Sequence, residues 1–81
     1  MQTTELLENL SQIFRNVLKR EDITLTESTT ARDVDGWDSL TNMLLISEVE
    51  KAFGVRFTFR DIVKLKDVGD LCRAIITKRQ P

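Results

Sequence analysis

The stretch DSLTNMLLISEVEKAFG, residues 38–54, decides how the chain must fold. Asp38 or Ser39 is suited to cap a helix N-terminus, and Gly54 is the usual residue for a left-handed C-terminal cap. Between them, stepping 100° per residue, Leu40, Met43, Leu44, Leu45, Ile46, Val49 and Phe53 leave one gap of about 100°, filled by Thr41 and Glu48. A helix apolar on more than one side is either the centre of the domain or a surface offered to a partner. Ser39, between carboxylates and this apolar run, is the residue whose purpose needs explaining.

Working outward, residues upstream of this helix show a second helical pattern. Leu6, Leu7, Leu10, Ile13, Phe14, Val17 and Leu18 recur at three- and four-residue steps after Thr3 or Thr4 as N-cap. Glu5 and Glu8 come early and Arg15, Lys19 and Arg20 late, matching the helix dipole. Residues 20–38 have no sustained period and read as a long loop pinned by Ile23, Leu25 and Val34. Thr30 and Asp33 stand at capping-box spacing within it.

Downstream, Thr58 and Asp61 repeat that spacing and open a short helical piece through Ile62, Val63 and Leu65. Asp67 caps a last helix with the stripe Val68, Leu71, Cys72, Ile75 and Ile76. VRFTF, residues 55–59, is the one short strand candidate. The expectation is an all-α, small four-helix bundle in one domain, residues 1–81: three main helices, a short third helix and a long loop after the first.

Apolar residues make up 41% and charged residues 31% of the 81, a globular composition able to fold alone around one small core. With a single cysteine, Cys72, and no histidine, an internal disulfide, a zinc site and Cys–His catalysis all fall away. MQTTELLENL has no basic leader, and no apolar run approaches the roughly 18 residues of a membrane span, so the chain reads as soluble and intracellular. The net charge of −1 conceals +1 in residues 1–20, −7 in 21–50 and +5 in 51–81. Such a field either orients a charged partner or is neutralised within the fold.

DVDGWD fails as a calcium loop: with Gly36 sixth, Ala31 and Asn42 occupy the positions that need an acid and a bidentate glutamate. Three scattered glycines build no phosphate-cradling loop. Trp37 lies among acids, away from the basic C-terminal segment, which speaks against nucleic acid. Ser39 has no histidine to activate it as a nucleophile. An exposed hydroxyl at a helix N-terminus, where dipole and free amides favour an anion, better suits modification by another enzyme. On the residues alone, a plain capping or first-turn helix serine is the favoured reading.

DSL at 38–40, at the start of a second helix, after a long loop and before EKAFGVRF, resembles the acyl carrier protein family over essentially the whole chain. The resemblance implies that a separate phosphopantetheinyl transferase esterifies Ser39 with 4′-phosphopantetheine from coenzyme A. The arm's thiol then holds an acyl group as a thioester. Asp38 matches the acid before that serine. The resemblance implies no enzymatic activity, a cytoplasmic monomer, no metal, no nucleic acid or membrane partner, and a succession of enzymes. These are an acyl-loading ligase or acyltransferase and a downstream synthase or transferase.

Leu40, Met43 and Leu44 near the arm, with Glu48 and Glu50 further along, are the expected partner contacts; core packing is the competing reading for Leu40 and Met43. Leu44, Ser47 and Lys51 stand where fatty-acid carriers are often acidic, and GWDSL replaces the GGxSL-like pattern of peptidyl carriers. The resemblance thus favours a free-standing, specialised carrier for a dedicated fatty-acid-, polyketide- or lipid-type pathway. The alternatives are an aminoacyl or peptidyl carrier and an unmodified interaction domain. Large residues at Val49, Phe57, Ile62, Leu65 and Leu71 suggest a close-packed core and a short or polar cargo held mainly outside it.

Overall fold

The computed structural model describes residues 2–79, and its extents are 34 × 25 × 22 Å. The expected domain, residues 1–81, includes Met1, Gln80 and Pro81, which lie outside the described residues. Helix α1 spans Thr3–Leu18, α2 Ser39–Phe53, α3 Phe59–Val63 and α4 Val68–Arg79. A single 3-10 turn, Ala31–Asp33, breaks the long connection between α1 and α2. The fold is the expected all-α bundle of three main helices and a short third one.

The core follows the apolar stripes. Leu6, Leu10 and Phe14 of α1 meet Leu45, Ile46, Val49 and Phe53 of α2 and Val68, Leu71, Cys72 and Ile75 of α4 in one buried cluster. Burying side chains of this size contributes about 1.5–3 kcal/mol each, which is how a chain this short offsets its ordering entropy. Ile23 and Leu25 of the long loop enter the same cluster, so they anchor it as expected.

Hydrogen bonds complete that anchoring. The buried Ser11 hydroxyl of α1 accepts from the Leu25 amide at 3.1 Å, and Arg15 Nε donates to the Ile23 carbonyl at 2.7 Å. At the loop's far end, the Val68 and Gly69 amides donate to the Thr29 and Glu27 carbonyls at 2.9 and 2.8 Å. The first turn of α4 is therefore capped by the loop's backbone. A Cβ at Gly69 would lie 2.9 Å from the Glu27 oxygen, so this close approach requires glycine.

Three boundaries differ from the sequence reading. Gln2, with extended backbone, is the N-cap of α1, and Thr3 and Thr4 lie within the helix or its first turn. Helix α1 ends at Leu18, with Lys19 in the left-handed conformation (φ 56°), so Lys19 and Arg20 fall beyond its last turn. Helix α3 stops at Val63 instead of reaching Leu65, because the Lys66 amide turns to the Asp70 carboxylate at 3.0 Å. The expected caps at Thr30/Asp33, Asp38, Gly54 and Thr58/Asp61 are all present. Residues 55–58 form no strand.

Few direct ion pairs join the acidic middle to the basic end, though Glu27 acts on Arg73 at longer range. Among the described residues only the Lys51–Glu48 pair, 3.3 Å, joins residues 21–50 to 51–81. The other pairs, such as Lys78–Asp61 and Arg73–Asp70, lie within one segment or join α1's end to its loop.

Candidate functional site

The site grows from the way α2 begins. Asp38 is the N-cap: its Oδ1 accepts from the Leu40 and Thr41 amides, each at 3.0 Å. Thr41 Oγ1 accepts from the Asp38 amide at 2.8 Å and donates to the Gly36 carbonyl at 2.6 Å. Gly36 makes the preceding turn with φ 90°, a conformation most side chains avoid. The loop is thereby folded back on the first turn of α2, and Ser39 becomes that helix's first residue.

Ser39 is exposed, and its hydroxyl makes no hydrogen bond among the described residues. It is therefore available to an incoming enzyme. Asp38 is sequence-adjacent but engaged: the Thr41 amide above all, with the Thr41 hydroxyl and Leu40 amide, holds its carboxyl below the usual carboxylate range against the opposing cost of desolvation. A carboxylate stabilised in this way is a poor proton acceptor, so Ser39 has no base beside it.

One expectation changes here. The Leu40 and Thr41 amides, thought free to receive an anion, are already satisfied by Asp38. A phosphodiester on Ser39 would keep the favourable dipole of α2 but would also face the Asp38 charge. Lys66 and Asp67 line the same groove as Ser39 and Asp38, one charge of each sign.

That groove, of about 390 Å³, runs from Ser39 and Asp38 between α2, α3 and α4. Leu45, Ile46, Val49, Ile62, Leu65 and Leu71 form its apolar walls, with Phe14 at its base and Asn42 on its polar rim. The groove stands beside the close-packed core, whose Phe14, Leu45, Val49 and Leu71 expose 4% of their surface or less. Four of the five expected lining residues are here, but their large side chains stand along the sides of a gap instead of filling it. Phe57 does not line the groove; it lies under the Lys78 ammonium, 5.3 Å from the ring centre.

Trp37 and Asn42 were not singled out as site residues by sequence reasoning. Trp37 stands edge-on to Phe14 with ring centres 4.8 Å apart, and its Nε1 donates to Asn42 Oδ1 at 2.9 Å. The pair pins the loop before Ser39 to α2 and forms part of the groove wall. The i,i+5 spacing across a helix start was the only signal available.

The partner-contact candidates separate by exposure. Leu40, Met43 and Leu44 expose 76%, 56% and 54% of their surface, so core packing is not what holds them. Glu48 is exposed and paired with Lys51. Glu50 is half-buried, and its Oε2 accepts from the Phe57 amide at 2.8 Å, fastening the connection from α2 to α3. No group of three or more metal-ligating side chains comes together among the described residues, and no helix there is long and apolar enough to cross a membrane.

Residues 8–75 match the family described as phosphopantetheine attachment site. The chain is also similar to the solution NMR structure of holo acyl carrier protein from Geobacter metallireducens. The two are 42% identical, with a TM-score of 0.83 over 89% of this chain and 83% of that one. No curated protein sequence matches the chain.

Proposed function

This chain belongs to the acyl carrier protein family and takes covalent 4′-phosphopantetheine, and on that premise we propose that Ser39 is the attachment point of a specialised carrier. The carrier serves a dedicated fatty-acid-, polyketide- or lipid-type biosynthetic pathway, as a cytoplasmic monomer that makes and breaks no bonds itself. The observation that carries the reading is the free, exposed Ser39 hydroxyl beside a committed Asp38, at the mouth of an apolar groove.

The attached group supplies a thiol that holds an acyl chain as a thioester. Everything else is positioning by this chain. Asp38 and Thr41 fix the first turn of α2, and Trp37 with Asn42 fixes the approach to it, so Ser39 is presented in one orientation. The base that Ser39 lacks comes from the transferase. Leu40, Met43 and Leu44, with Glu48, form the face that the loading ligase or acyltransferase and the downstream synthase or transferase meet in turn. Glu50 contributes by setting the connection to α3. Contacts on so few residues are small and transient, as a carrier visiting several enzymes requires.

The groove walls of Leu45, Val49, Ile62, Leu65 and Leu71 favour an acyl chain that can fold inward over a short or polar one held outside. The groove lowers, without removing, the roughly 24 cal/mol per Å³ that opening a filled core would cost, since Leu45, Val49 and Leu71 expose 4% of their surface or less. The test of attachment is intact mass after incubation with coenzyme A, magnesium and a broad-specificity pantetheinyl transferase. The native chain should gain one phosphopantetheine mass and Ser39→Ala none; modification persisting in the alanine variant would place the attachment elsewhere.

A further inference from the structure

The residues that follow Gly54 carry a surface that nothing in the carrier reading uses. Phe59 and Val63 of α3 expose 79% and 60% of their surface. They are four residues apart and so share one face of α3. Arg56, Arg60 and Lys64 flank them in sequence, all exposed, and none forms an ion pair among the described residues. The only acid on α3, Asp61, is held by Lys78 at 2.8 Å and does not offset them.

Elsewhere most cations are engaged, with Lys19, Arg32 and Lys66 also without an ion pair among the described residues. Arg20, Lys51, Arg73 and Lys78 are paired with carboxylates, and Arg15 and Arg79 are spent on the Ile23 and Phe53 carbonyls. Three unpaired cations close in sequence to two exposed apolar side chains therefore form a local feature, not a uniform basic coat. Helix α3 also supplies Ile62 to the groove that opens at Ser39, so its outer face borders the place where enzymes act.

We propose that the α3 face of Phe59 and Val63, flanked in sequence by the exposed Arg56, Arg60 and Lys64, docks an acidic protein surface with an apolar depression at its centre. It rests on the carrier reading only in that the partner would be one of the enzymes reaching Ser39. Charge complementarity selects the occupant: the apolar pair provides the anchor and the cations provide register and approach rate. A protein is favoured over an anionic bilayer because residues 21–50 bring a net −7 to the same small molecule. An extended anionic plane meets that charge as well, whereas a protein can place its acids opposite α3 alone. Two apolar side chains on one short helix also bury little area in a lipid interface.

The experiment titrates labelled full-length chain with a helical peptide that has leucines at four-residue spacing and glutamates elsewhere, following amide shifts. A lysine-for-glutamate version of the peptide and vesicles rich in phosphatidylserine serve as comparisons. Shifts should centre on residues 56–66, weaken roughly tenfold in Arg60→Glu/Lys64→Glu, and weaken also at high salt. Phe59→Ser should lose binding with its melting curve unchanged. Arg60→Gln/Lys64→Gln gives an intermediate loss if the double reversal alters folding. Ser39→Ala should bind like the native chain, so failure of the attachment assignment leaves this result untouched. Shifts centred on Leu40, Met43 and Leu44, equal binding of the lysine peptide, or binding to vesicles without binding to the glutamate peptide would each overturn the proposal.

Discussion

Asp38 and Thr41 hold each other across the first turn of α2: the Asp38 carboxylate takes the Thr41 amide at 3.0 Å while the Thr41 hydroxyl takes the Asp38 amide at 2.8 Å. This reciprocal cap explains how Ser39, lying between them, stays free. Both neighbouring polar groups are satisfied by one another, so neither competes for the serine hydroxyl.

Replacing Asp38 by Ala should therefore lower the melting temperature and slow modification of Ser39, whereas Asp38→Asn should largely restore both, since asparagine caps nearly as well. The pH dependence has a defined sign. The folded Asp38 carboxyl is depressed below its unfolded value, so its contribution is present above the unfolded pKa and is lost as pH falls through the folded one. Asp61, brought down to about 2 chiefly by Lys78 and then by the Thr58 amide, behaves alike. Between about pH 4 and pH 2 the native chain should lose stability faster than an Asp61→Asn variant; parallel acid melts would contradict this.

Gly69 and Gly54 should respond differently to the same substitution. Gly69→Ala pushes a Cβ against the Glu27 carbonyl and should cost about 1–3 kcal/mol, as overpacking does, while loosening the long loop from α4. Gly54→Ala meets nothing within 4 Å but must hold φ +66°, costing about 1 kcal/mol. Denaturation midpoints of the two variants give the comparison, and amide exchange at Thr29 and Val68 should rise only in the first.

The helices were legible because their signals are local: apolar spacing, three capping pairs and Gly54 all lie within a few residues of the structure they specify. The groove was not, because side-chain size does not say whether two helices close the space between them. Glu50 shows the same limit from another direction. Its sequence position implied a surface charge for partners, yet the connection after Gly54 returns the Phe57 amide to it. The end of α3 was missed for a similar reason, since Asp70 captures the Lys66 amide from beyond the helix.

Cys72 is buried in the core, and desolvation above all, with Glu27 nearby, pushes its thiol up to about 11. A thiol so rarely ionised is a poor nucleophile at neutral pH. The holo protein should thus show one rapidly reacting thiol toward a disulfide reagent, the arm's, and two after denaturation. The apo protein should show none until unfolded. A fast second thiol in the native holo protein would mean that the core around Cys72 opens readily.

Trp37 is the chain's single tryptophan and stands in the groove wall beside Ser39, so it can report on cargo directly. If acyl chains fold inward, lengthening a saturated chain should shift Trp37 emission progressively as the ring's surroundings become drier. Amide shifts should grow with chain length at Val49, Ile62, Leu65 and Leu71, while Phe57, outside the groove, changes little. Asn42→Leu removes the acceptor of the Trp37 N–H and should cost about 1–3 kcal/mol if the donor finds no other partner. It should also blunt the graded emission response, since the ring is then no longer fixed. A chain held outside the bundle gives the opposite pattern: perturbation confined to residues 38–44, constant Trp37 emission and no dependence on length. That outcome would restore a short or polar cargo, with the groove serving only to receive the arm itself.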